Sequence, residues 1–179
     1  AAGSDSFGVS VAGAGDLDSD GYDDLIIGIP NADSSTGAVY IFFGRDDIEL
    51  SHLDREMSIA DVDIKLVGES TGEMFGASIA ASGDVDGDGV AELMVGAPKA
   101  EPGSVSLAGE VRILRGPPAA DMADDPLARI SGTSASGEIG TSIAGGVDLN
   151  GDGWTEVLVG ASSFDGAGAA FVLYGGYHP

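Results

Sequence analysis

One acidic pattern occurs three times in this chain, and its repetition limits the possible folds more than any other feature. The stretches DLDSDGYDD (16–24), DVDGDGVAE (84–92) and DLNGDGWTE (148–156) all fit D-x-[DN]-x-D-G-x-x-[DE]. Sixty-eight residues separate Asp16 from Asp84, and sixty-four separate Asp84 from Asp148. The flanks repeat with the loops. Nine residues upstream stands an aromatic or apolar residue followed by glycine: Phe7-Gly8, Phe75-Gly76, Ile139-Gly140. A serine follows two residues after that glycine, at Ser10, Ser78 and Ser142. Downstream come short apolar runs, LIIGIP, LMVGAP and VLVGAS, rich in branched residues and punctuated by glycine and proline, which read as buried strands. A third run, GAVYIFFG, GEVRILRG or GAAFVLYG, ends in glycine, and DIKLVGES and LARISGTS supply a fourth segment to the first two units.

Each unit thus offers up to four short strands. A unit of this size cannot bury both of its faces alone, so successive copies must stack. The predicted fold is all-β: three β-propeller-type blades of up to four antiparallel strands, arranged as an incomplete ring. A β-helix is disfavoured because its repeats are much shorter. The repeats are drawn at 1–62, 63–126 and 127–179, the third lacking its outer strand. Propellers typically hold about four to eight blades. Three blades leave two open faces, so the expectation is a fragment of a longer propeller, or copies that self-associate through those faces.

The loop spacing has a chemical logic. Side-chain oxygens at positions 1, 3 and 5 of a tight loop converge on one point, and the residue at position 7 adds its backbone carbonyl. The glycine at position 6 (Gly21, Gly89, Gly153) permits the bend. Calcium takes about 6–8 oxygen ligands in flexible geometry. The predicted ligands are Asp16, Asp18, Asp20, Tyr22 and Asp24 in the first loop. In the second they are Asp84, Asp86, Asp88, Val90 and Glu92, and in the third Asp148, Asn150, Asp152, Trp154 and Glu156. Tyr22, Val90 and Trp154 enter through their carbonyls. Without a cation the clustered carboxylates would repel one another, so three calcium sites are expected. A solvated acidic turn is the plain alternative for any single loop, but three matching copies argue against it. An EF-hand is ruled out: its bidentate Glu falls at position 12, where this chain has Ile27, Val95 and Val159.

Phe-Gly, the acidic loop and Gly-Ala-Pro, in that order, resemble the FG-GAP repeat, a family best known from the N-terminal propeller of integrin α chains. The resemblance covers nearly the whole chain. It is weakest in the third copy, where Ile139, Asn150 and Ser162 replace Phe, Asp and Pro. It implies a calcium-binding module, extracellular or at a cell surface, that makes protein–protein or cell-adhesion contacts with a protein or glycan ligand. The alternative is a non-catalytic, calcium-stabilised domain of a larger secreted enzyme or carbohydrate-binding protein.

Composition closes off other classes. Seven basic residues against thirty acidic ones give a net charge of −23, which excludes a phosphate-binding surface and hence a nucleic-acid partner. There is no cysteine, so neither disulfides nor thiolate metal sites exist. No apolar run approaches the roughly 18 residues needed to span a membrane, so no membrane insertion is expected, and no signal peptide is visible. Thirty glycines in 179 residues suit many turns and closely approaching backbones. Catalysis is not expected. His52 and His178 are the only histidines, and paired carboxylates occur only in the loops, where a metal would already hold them. GPPAADMADDP (116–126) and PKAEPGSVSLAG (98–109) read as long loops, SHLDREMSIADVD (51–63) as a stretch able to form a helical turn, and the Trp154 ring as packing on a blade.

Overall fold

The computed structural model describes residues 6–46, 59–116, 123 and 125–176. His52, His178 and much of the predicted 51–63 and 116–126 segments lie outside these residues. The described residues form three antiparallel sheets. The first contains β1 (Ser10–Gly15), β2 (Asp24–Ile29), β3 (Ala38–Phe42) and β4 (Ile64–Val67), hydrogen-bonded in that order. The second repeats the meander with β5 (Ser78–Gly83), β6 (Glu92–Ala97), β7 (Glu110–Leu114) and β8 (Ala128–Ser131). The third has β9 (Ile139–Val147), β10 (Glu156–Ala161) and β11 (Ala169–Leu173). The predicted all-β fold of three propeller-type blades, without ring closure, is what the structure has.

Drawn as sheets, the divisions fall after Val67 and Ser131 rather than after residues 62 and 126. The reason is pairing: Leu66 sits opposite Val39 on β3, and Ile130 opposite Val111 on β7. Each fourth strand therefore belongs to the sheet preceding it.

The sheets stack face to face, and β6 shows why its sequence is apolar on both sides. All six of its residues are buried. Leu93 and Val95 join one core with Ile26, Val39, Ile41 and Leu66 of the first sheet. Met94, between them, points the other way and joins Val111, Val157 and Val159 in a second core. Alternate residues of a strand face opposite sides, so one middle strand feeds two interfaces.

The Phe75-Gly76 and Ile139-Gly140 elements each lock their repeat to the sheet before it. The Phe75 amide donates to the Thr36 carbonyl (3.1 Å), and the Ile139 amide donates to Ala108 (3.0 Å). The Ser10 hydroxyl donates to the Gly76 carbonyl at 2.7 Å, and Ser78 to Gly140 at 2.6 Å. This close approach requires Gly28 and Gly96. A Cβ there would lie 2.1 Å from the Gly76 oxygen and 2.3 Å from the Gly140 oxygen, respectively.

The two outer faces differ. Val172 and Tyr174 are exposed on the third sheet, as expected of an open blade. The centre of the first sheet is not open. Ile27, Ile29, Tyr40 and Phe42 are buried, with Val62 packed on them, and both the Phe7 ring and the Lys65 ammonium rest on the Tyr40 ring.

An ion network that the sequence did not reveal lies within the second sheet. Arg112 is 2% exposed and pairs with Glu73 (2.8 Å) and Glu110 (2.9 Å), over the face of the Phe75 ring. Arg129 pairs with Glu110 at 2.8 Å and with Glu69. Glu69 and Glu73 come from the segment joining β4 to β5, so the network ties that crossover to β7 and β8.

Candidate metal centre

Each acidic loop joins the first strand of its sheet to the second: β1 to β2, β5 to β6, β9 to β10. The three loops therefore lie at the same end of the stack. Within each loop the carboxylates organise the backbone. Asp84 Oδ1 accepts the amides of Gly87 (2.6 Å) and Asp88 (3.1 Å), and its Oδ2 accepts that of Gly89 (2.9 Å). Asp16 takes the amides of Asp20 and Gly21, and Asp148 those of Gly151 and Gly153. Position 5 holds the amide of position 7 in every copy: Asp20 that of Tyr22, Asp88 that of Val90, Asp152 that of Trp154. Backbone amides, Gly153 foremost, hold Asp148 below the ordinary carboxylate range.

The structure gathers carboxylate oxygens within 4.8 Å of one another in three groups: Asp84, Asp86, Asp88 and Glu92; Asp16, Asp18 and Asp24; Asp148, Asp152 and Glu156. Of the proposed side-chain ligands, Asp20 is not in the first group, and Asn150 is an amide and so is not among these carboxylates. Asn150 accepts the Asp152 amide (2.9 Å) and donates its own Nδ2 to Asp152 Oδ2 (2.9 Å).

Position 9 opens the second strand of each sheet and is fully buried in all three copies: Asp24, Glu92 and Glu156 are 0% exposed. One oxygen of each tethers the start of the loop. Asp24 Oδ2 accepts the Leu17 amide (2.7 Å), Glu92 Oε2 that of Val85 (2.7 Å), and Glu156 Oε2 that of Leu149. Asp24 spends its second oxygen on the Gly44 amide (2.8 Å). The second oxygens of Glu92 and Glu156 are buried and have no hydrogen-bond partner. A buried, unpaired carboxylate oxygen is costly, and it stands here beside other carboxylates.

The electrostatics agree. Burial, opposed by the Val85 amide and reinforced by Asp86, Asp88 and Asp84, pushes Glu92 up to about 7. Burial raises Asp24 against the Gly44 and Leu17 amides, and Asp18 and Asp16 add to the rise. A divalent cation reverses both effects. The donors are all oxygen, which suits calcium or magnesium rather than a thiophilic metal, so the residues fit the calcium inferred from their spacing.

The glycine ending the third strand closes on the loop. A Cβ at Gly116 would lie 2.4 Å from Val90 Cγ1, and one at Gly175 would lie 2.4 Å from the Thr155 oxygen. The Trp154 indole lies near two glycines: a Cβ at Gly176 would stand 2.5 Å from its Cδ1, and one at Gly87 of the second loop 3.3 Å from its Cη2.

Comparison with known proteins agrees with this architecture. The chain is 35% identical over 172 residues to integrin alpha-5 of Xenopus laevis, covering 89% of this chain and 15% of that protein. It is 39% identical over 102 residues to integrin alpha pat-2 of Caenorhabditis briggsae, covering 56% of this chain and 8% of the relative. It is also 29% identical over 157 residues to phosphatidylinositol-glycan-specific phospholipase D of Bos taurus, covering 86% of this chain and 18% of the relative. The chain thus spans less than a fifth of each. The FG-GAP repeat model matches residues 7–42, 75–107 and 139–173, one stretch on each sheet, and the chain belongs to the FG-GAP repeat family.

Proposed function

We propose that this chain is a calcium-binding stretch of an FG-GAP propeller, extracellular or on a cell surface, that presents its loops to a protein or glycan ligand in adhesion-type contacts. The observation that supports calcium most directly is the pair of buried, unpartnered oxygens on Glu92 and Glu156, each beside two or three further carboxylates. Calcium would be held by Asp84, Asp86, Asp88 and Glu92 in the second loop. The corresponding sets are Asp16, Asp18, Asp20 and Asp24 in the first and Asp148, Asn150, Asp152 and Glu156 in the third, with the carbonyls of Tyr22, Val90 and Trp154 completing each sphere. The ion would do structural work: it cancels the repulsion between these groups and fixes the loop end of each sheet.

Calorimetric titration of the chelated protein tests this. The expected result is saturable calcium heat and a rise in melting temperature. Glu92→Gln together with Glu156→Gln should remove the heat of the second and third loops, shrink the rise in melting temperature, and leave the first loop's binding in place. For adhesion, the immobilised chain is expected to retain an extracellular ligand in calcium and release it in chelator.

The second reading is a non-catalytic domain of a larger secreted enzyme. Similarity to a protein named as a phospholipase, over 86% of this chain, favours it. Sequencing the gene on both sides of this segment separates the two: further FG-GAP repeats support the first, and an adjoining hydrolase domain supports the second.

A further inference from the structure

We propose that the second and third loops bind calcium cooperatively, coupled by Trp154 and Thr155, while the first loop binds on its own. This inference rests on the calcium reading above and adds how two of the sites are regulated.

Two contacts join the second and third loops. The first runs through the indole. The Trp154 amide donates to Asp152 Oδ1 at 2.9 Å, so the residue is tied to a carboxylate of its own site. Its ring lies against Gly87: a Cβ there would stand 3.3 Å from Trp154 Cη2. The Gly87 amide in turn donates to Asp84 Oδ1 at 2.6 Å, in the second site. The second contact runs through Thr155, the neighbour of Glu156. Its hydroxyl donates to the Ser82 carbonyl at 2.7 Å, and the Ser82 hydroxyl donates to the carbonyl of Glu92 at 3.2 Å. Each path begins next to a carboxylate of one site and ends at a carboxylate residue of the other.

Both sites also share an unmet electrostatic demand, since Glu92 Oε1 and Glu156 Oε1 are each buried without a partner. A cation that orders one loop presses the indole and the threonine into place, so the second cation meets a loop already ordered. Ordering of this kind gives positive coupling without a change of fold. The first loop lacks the device. Between it and the second loop, the corresponding positions hold Val90 and Ala91, with neither ring nor hydroxyl, and Val90 packs on Gly116 of its own sheet.

The test is calcium titration of the whole chain by calorimetry, with Trp154 emission followed in parallel. Asp88→Asn is expected to weaken the third site about fivefold or more, and Asp152→Asn to weaken the second by the same factor, because coupling is reciprocal. Asp18→Asn should leave both unchanged. In a Trp154→Val, Thr155→Val background, Asp88→Asn should no longer affect the third site. If that double variant fails to fold by circular dichroism, Thr155→Val alone should shrink the coupling. Third-site affinity unchanged by Asp88→Asn, with calcium still bound, overturns the coupling but leaves the calcium reading intact. No calcium heat in the parent chain overturns both.

Discussion

Asn150 lacks the charge of its counterparts Asp18 and Asp86, and that difference should rank the sites. The third loop offers three carboxylates where the first two offer four each. Ligand charge and site rigidity tune affinity in oxygen loops, so the third loop is expected to be the weakest. Asn150→Asp should strengthen it several-fold in a calcium titration, and an unchanged or weaker third phase would show that charge count does not set the order. Position 9 makes the opposite demand. Glu92→Gln removes a buried charge beside three acids, so in chelator the variant should melt about 2–4 °C above the parent, for roughly 1 kcal/mol gained. In calcium it should melt below the parent. The ligand spacing could be read directly, because it is local. The tether from position 9 to the amide of position 2 could not, because it depends on how completely the fold buries that side chain.

At the level of elements, β7 shows the limit of strand patterns. GEVRILRG reads as the third strand of its unit and carries Arg112 between Val111 and Ile113, and that arginine lies inside the core, held by Glu73 from 39 residues away. Nothing near Arg112 in the sequence names that partner. A lone arginine in a buried strand was the available signal. Removing it should be severe. Arg112→Leu leaves Glu73 buried without its cation and Glu110 with Arg129 alone, and should cost about 3–5 kcal/mol in a urea melt. Adding Glu73→Gln and Glu110→Gln should recover most of that loss. The same network makes a pH prediction. Burial alone would raise Glu110, but hydrogen bonds from Arg112 and Ser131 and the charges of Arg112 and Arg129 outweigh it and hold the carboxyl below the ordinary 4.5. The folded value is therefore depressed, so the stabilisation is present above 4.5 and is lost as pH falls below it. Melting temperatures of parent and Glu110→Gln should differ at neutral pH and converge in acid. A constant gap would mean that Glu110 acts through packing alone.

At the level of the whole molecule, stability comes from the stacking of neighbouring sheets, as in repeat proteins generally. The stacking could be expected from sequence, since no unit can cover both of its faces. The wedge that sets its spacing could not, because a glycine between two apolar strand residues gives no sign of which backbone will press on it. Gly28, Gly96 and Gly160 occupy the same strand position, and each faces a serine hydroxyl: a Cβ would meet Ser10, Ser78 or Ser142 Oγ at 2.1–2.2 Å. The difference lies beyond the serine. At Gly28 and Gly96 the carbonyl of the next repeat's glycine stands 2.1 and 2.3 Å from that Cβ, whereas at Gly160 the next atoms are those of Ser142 itself, at 3.4 Å and more. A serine rotamer can yield, but a backbone carbonyl held in a sheet interface cannot. Gly28→Ala and Gly96→Ala should therefore each cost about 1–3 kcal/mol as overpacked sites, while Gly160→Ala should cost well under half of that in urea denaturation at low protein concentration. Raising the concentration provides the second measurement. If the third face docks another repeat, Ser142 and Gly160 would receive its glycine carbonyl as Ser10 and Gly28 receive Gly76, and Gly160→Ala would then become as damaging as the other two. A Gly160→Ala cost that stays small at every concentration would mean that this face remains uncovered in solution.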